Sequence, residues 1–320
     1  MYHLAMRNLL RSVLGSLAIT GVLAITVLAA GCSQAPTAGP PLAIGVESQY
    51  ADVLAQIGGP YVRVRSILSN PNTDPHAFEA SPAVAREVAA ASLVVMNGLG
   101  YDAWIERILA AVPNRERTVI DVRALLAVPR NSTNPHLWYD PRTMPAVAAA
   151  AARAFAALQP AHAEYFEANA QRFAASLGPW RQAIDSFRKH YGSTPVAVIE
   201  PVANALLEAA GCRILTPLAL QLAIMNGTDP APQDLASERA LLSEGKVKVL
   251  IYNQQVTSPL TASFLQLAQA HHIPVVGVYE TMPQPGYHYQ SWMLAETNAL
   301  RAAVAEGVST RTLIGAGAPR

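Results

Sequence analysis

Charge is scarce in this chain. Asp, Glu, Lys and Arg make up 14% of its 320 residues, the formal net charge is +1, and no basic run occurs. That balance excludes the electrostatic footprint of a nucleic-acid binder. The chain also has no HExxH, no GxSxG and no paired Asp/Glu motif on a helix, which removes the commonest sequence marks of a hydrolase. No short-period repeat is present. What is abundant is apolar surface, at 51% of residues, so the chain is globular and well cored rather than disordered. Its length is enough for two domains of ordinary size.

The first 31 residues differ from the rest. Arg7 and Arg11 are the only formal charges, and 12–31 is an uncharged apolar run. A positive start followed by an apolar stretch reads as a signal sequence, although the run is also long enough for a plain membrane-spanning anchor. "LAAGCSQ" places Ala29, Ala30 and Gly31 before Cys32 and resembles a bacterial lipobox, with Leu28 one place earlier than the usual leucine. The expectation is a lipoprotein signal peptide over 1–31, lipidation at Cys32, and a Pro/Gly tether over 32–40. Cys212 is the only other cysteine. Lipid on Cys32 leaves it without a disulfide partner, as a packing residue.

From residue 41 the pattern alternates. Continuous or alternating apolar runs predict strands at 41–48, 61–68, 92–98 and 118–123, with helices between them. Ser81-Pro82 is a helix start. The second half repeats the pattern, with strands at 195–199, 212–216, 247–252 and 274–279 and helices at 202–210, 232–244, 259–271 and 287–306. Strand–helix alternation predicts parallel sheets flanked by helices. Between the halves, Tyr165, Phe166, Phe173, Leu177, Trp180, Ile184 and Phe187 recur at helical spacing, so 159–190 reads as a long amphipathic helix. Gly178-Pro179 predicts a kink or break in it.

Ligands in open parallel sheets lie outside the carboxyl ends of the strands. Four polar residues fall there. His76 and His136 each follow a proline in a loop after a first-half strand. Glu200 and Glu280 each follow a buried apolar run in the second half. Imidazole suits Zn, Fe, Ni and Mn, and carboxylate favours the harder Mn or Fe over Cu. Two glutamates would neutralise a divalent cation and lower the cost of their own burial.

These segments resemble a known family. "DPHAFEASP", "NPHLWYDP", "VIEPVANALLEAAG" and "VYETMP" are similar to the four ligand segments of the zinc- and manganese-binding substrate-binding proteins of bacterial ABC transporters, a likeness covering about Leu42 to Glu306. The resemblance implies an α/β fold of two lobes, each a mainly parallel sheet flanked by helices. One long linking helix joins them, and a metal site lies in the cleft between. The lobes would be 41–158 and 191–320, with 159–190 linking. His76, His136, Glu200 and Glu280 would hold one divalent ion as cargo, Zn2+ or Mn2+ with Fe2+ also possible. The partner would be an ABC permease in the membrane, with the chain a monomer anchored at the outer face of the cytoplasmic membrane or in the periplasm, and with no bond chemistry. Ala80 stands where the family has proline. Asn134 stands where it has aspartate, which predicts a weaker hydrogen bond to the histidine. The long His- and acid-rich loop of many zinc-specific members is absent.

Other readings stand beside this one. Asp74 is a turn former before proline and Glu79 a further candidate ligand. His288 reads as a surface residue at a helix start, and His162, His190, His271 and His272 as solvated or helix-end residues. Trp104, Trp138 and Trp292 read as packing. The rival functions are a metal-dependent hydrolase or oxygenase using the same His/Glu set, and an adhesion or scaffold lipoprotein on the same fold.

Overall fold

The computed structural model describes residues 39–70, 78–283 and 286–313. The signal and lipidation reading at 1–32, most of the tether, and Asp74 and His76 lie outside the described residues. The strands are β1 (Leu42–Glu47), β2 (Arg63–Leu68), β3 (Leu93–Met96), β4 (Thr118–Asp121), β5 (Pro195–Val198), β6 (Arg213–Ile214), β7 (Val249–Asn253) and β8 (Val275–Val278). They form two four-stranded parallel sheets of the same order, β2-β1-β3-β4 and β6-β5-β7-β8. The central strands β1, β3 and β7 are buried along their whole length, as continuous aliphatic runs in covered parallel sheets are. β2 alternates because it is an edge, with Arg63 and Arg65 exposed.

The helices are α1 (Ser48–Gly58), α2 (Pro82–Ala90), α3 (Ala103–Ala111), α4 (Val122–Leu125), α5 (Thr143–Leu158), α6 (Ala163–Ser176), α7 (Gly178–Tyr191), α8 (Asn204–Ala209), α9 (Leu218–Met225), α10 (Pro232–Ser243), α11 (Pro259–Ala270) and α12 (Tyr289–Glu306). Starts follow local chemistry. The Ser81 hydroxyl accepts from Val84 N with Pro82 in the first turn, and Ser258 and Thr261 cap α11 reciprocally. α1 lies directly on β1: a Cβ on Gly45 would sit 2.1 Å from the Ala51 nitrogen, so only glycine fits there.

The linking stretch is a long helix bent at Leu177, as Gly178-Pro179 predicts. A 3-10 turn at Pro160–His162 precedes α6, and Leu177 separates α6 from α7. Pro179 is the cause, since it has no N–H to donate to the Ala175 carbonyl and its ring crowds that oxygen. The apolar stripe keeps its phase across the break: Phe166, Phe173, Leu177, Trp180, Ile184 and Phe187 are all buried. α6 packs on α5 and α1, while α7 packs on α12. The Trp180 indole donates to Thr297 Oγ1 at 3.0 Å.

Alternate strand residues feed different cores. Ile44, Val94 and Met96 pack outward with Trp104 and Ile105, and Ala197, Leu250 and Val275 pack outward with Leu242 and Phe264. The inner faces, Ala43, Leu93 and Val95 of the first sheet and Val196, Val249 and Val276 of the second, belong to one continuous core with α5, α6, α7 and α12.

Candidate metal centre

In each sheet the chain order reverses across two central strands, β1 and β3 in one and β5 and β7 in the other, and side chains leaving there converge. Val198 pairs with Ile251, so two residues on Glu200 stands beside Asn253. The Asn253 amide donates to Glu200 Oε2 at 3.1 Å and to Glu280 Oε1 at 2.7 Å. Its own oxygen accepts from Gln255 N, which fixes the amide's orientation. The Gln255 side-chain oxygen accepts the backbone N–H groups of Glu280 and Thr281. Glu200 is 2% exposed and Glu280 0%. Withdrawing two such carboxylates from water costs several kcal/mol each unless charge or donors compensate.

The first half supplies the other side. Tyr101 OH donates to Glu280 Oε2 at 3.0 Å, and His136 Nε2 lies 3.5 Å from the same oxygen. Burial, then the charges of Glu280 and Glu47, push the Tyr101 hydroxyl well above its usual range, so it stays a phenol and a donor. His136 is 1% exposed and sits edge-on to Tyr101 and Trp138. A helical turn, α4, lies between β4 and the loop that carries it. Asn134 Oδ1 accepts from His136 N at 3.1 Å and lies 2.8 Å from its Nδ1. The hydrogen bond expected to weaken with Asn134 is therefore made, at ordinary length, by a neutral acceptor. Asn97, at the end of β3, holds the same loop by donating to the Pro135 carbonyl at 2.8 Å.

Of the four sequence candidates, His136 and Glu280 approach each other directly, and Glu200 is joined to Glu280 through the Asn253 amide. Among the described residues no group of three His, Cys, Asp or Glu side chains could hold a metal ion by itself. His76 lies outside them. Glu79 is exposed. His288 caps α12 and pairs with Asp52 at 2.7 Å, and His162 stacks on Tyr61 at 3.7 Å at the start of α6, not at a helix C-terminus. Burial pushes the Cys212 thiol up to about 12, as expected of a packing cysteine. The residues missed from sequence are Asn253, Tyr101 and Glu47. Glu47 ends β1 as Glu200 follows β5, is fully buried, and is held well above the carboxylate range by burial and by Asp102. "LAIGVE" carries the same strand-end signal as "PVAVIE".

The family described as zinc-uptake complex component A, periplasmic, matches residues 47–303. The manganese-binding lipoprotein MntA of Bacillus subtilis (strain 168) is 29% identical over 140 residues, 41% of this chain and 44% of the relative. A putative metal-binding protein of Thermotoga maritima is 33% identical over 92 residues, 29% of this chain and 32% of that one. The chain thus matches less than half the length of these curated relatives. Among solved structures, the periplasmic zinc-binding protein TroA from Treponema pallidum superposes with a TM-score of 0.71 at 16% identity, covering 84% of this chain and all (100%) of that one. At that identity the likeness shows the fold alone.

Proposed function

Because the chain belongs to the periplasmic zinc-uptake component A family, we propose that it is an extracytoplasmic solute-binding protein that captures one divalent transition metal and delivers it to an ABC permease. The observation that carries this reading is the meeting of His136 and Glu280 at 3.5 Å, with Glu200 tied to Glu280 through one amide. Two buried carboxylates and an imidazole suit a dication, since the ion offsets the charge that burial penalises. His76 would complete the set. Carboxylate and imidazole together suit Zn2+, Mn2+ and Fe2+, with Zn2+ favoured by intrinsic affinity and Mn2+ or Fe2+ by ligand hardness.

The metal is cargo, and the chain performs no bond chemistry on it. Residues 41–158 and 191–320 would act as the two lobes, with 159–190 between them. Among the described residues no helix is long and apolar enough to cross a membrane. Acylation of Cys32 would hold a monomer at the outer face of the cytoplasmic membrane.

The test is a competition titration against a chromogenic chelator after metal is stripped. One equivalent of Zn2+ or Mn2+ should bind. Alanine at His76, His136, Glu200 or Glu280 should weaken binding by about 100-fold or more while far-ultraviolet circular dichroism stays unchanged. Wild-type affinity in these variants would remove the ligand assignment.

A further inference from the structure

Asn134 is one side chain that meets both halves of the molecule. Its Oδ1 accepts from His136 N at 3.1 Å and lies 2.8 Å from His136 Nδ1. Its Nδ2 donates across the cleft to the carbonyl of Pro201 at 2.8 Å, the residue directly after Glu200. The orientation of the amide is not a free choice. A backbone N–H can only donate and a carbonyl can only accept, so the oxygen must face His136 and the nitrogen Pro201. It follows that Nδ1 of His136 carries the proton. Nε2 is then the ring nitrogen turned to the site, where it faces Glu280 Oε2 at 3.5 Å, and fixing the proton on Nδ1 keeps Nε2 as the nitrogen that would ligate a metal.

A carboxylate at this position would accept both bonds from His136. It would then face the Pro201 carbonyl oxygen against oxygen, with no donor to offer. The asparagine therefore does something an aspartate cannot: it orients the ring and joins it to the backbone that carries Glu200. Asn97 holds Pro135 from the opposite side, so the loop has few other ways to adjust.

We propose that Asn134 is a positioning residue that locks the His136 tautomer and pins the His136 loop to the Glu200 segment, setting the spacing between metal ligands drawn from the two halves of the chain. The inference rests on the reading of His136 and Glu200 as ligands.

Three variants of the full chain separate the parts. Asn134→Ala removes both functions, Asn134→Asp keeps an acceptor for His136 while turning the donation to Pro201 into an oxygen–oxygen contact, and His136→Ala tests the underlying ligand assignment. Two readouts are taken: Zn2+ affinity by chelator competition, and the ring-nitrogen chemical shifts of His136 in metal-free protein. Asn134→Ala should weaken Zn2+ binding by about tenfold or more, and the two ring nitrogens should move toward each other as both tautomers fill. Asn134→Asp should keep the wild-type ring shifts and still bind Zn2+ more weakly than wild type. Wild-type ring shifts in Asn134→Ala overturn the tautomer lock, and wild-type affinity in Asn134→Asp overturns the pin. If His136→Ala binds Zn2+ as wild type does, the ligand reading fails, while the ring shifts still judge the lock on their own.

Discussion

Asn253 holds two acids with one amide, and that is the least obvious feature of the site. Each of its two N–H groups goes to a different buried carboxylate. Replacing it with the near-isosteric Leu leaves Glu200 and Glu280 without their shared donor. Metal-free Asn253→Leu should lose about 3 kcal/mol of stability in urea unfolding, and excess Zn2+ should recover most of the loss. Equal losses with and without metal would show that the amide does not serve the carboxylates. Charged residues at strand ends are conspicuous in sequence because they interrupt apolar runs, and so Glu200 and Glu280 were legible. Asn253 ends "VLIYN" in the equivalent place, but a neutral amide has no distinctive pattern. Tyr101 follows a Gly-rich turn and looks like any aromatic packing residue until its hydroxyl is seen on Glu280.

The break at Leu177 shows how far local rules carry at the level of the helix. Gly178-Pro179 forecast it, and the buried stripe forecast which face would pack. What the stripe could not say is that α6 and α7 would serve different neighbours, because one periodicity fits either a single partner or two. The alanine-rich α5 has no such stripe to read, since alanine is at home on either face; its position on α1 and α6 emerges only in three dimensions. If phase matters more than continuity, Pro179→Ala should leave stability within about 1 kcal/mol of wild type. Trp180→Ala removes a fully buried indole and its bond to Thr297 and should cost about 3–5 kcal/mol. Urea midpoints at constant slope would measure both, and a large loss at Pro179 would show that the break itself is structurally required.

Across the whole molecule, several carboxyls are buried in a state that favours the proton. Burial pushes Glu296 up to about 8, against hydrogen bonds from Tyr139 and Trp292 that pull it down, and pushes Glu238 and Asp102 up to about 7. Unfolded carboxyls lose their protons near pH 4, so between there and pH 8 the native state binds more protons than the unfolded one. Stability therefore falls as pH rises through this window, by about 1.4 kcal/mol per unit for each group still protonated. Thermal melts of metal-free protein should show a higher midpoint at pH 5.5 than at pH 8, and Glu296→Gln should flatten part of the slope. A midpoint that rises with pH would contradict these shifts. The twin sheets could be read from the repeated strand–helix alternation, but the single core between them could not, because contacts across that distance in sequence leave no local pattern.

That shared core has a mechanical meaning. A clamshell needs a dry seam at its hinge and a wet gap between its valves; here the inner faces of both sheets are joined by the same oil-filled keel of α5, α6, α7 and α12. Swinging one half away from the other would flood that keel. Protein with and without added Zn2+ should then sediment alike.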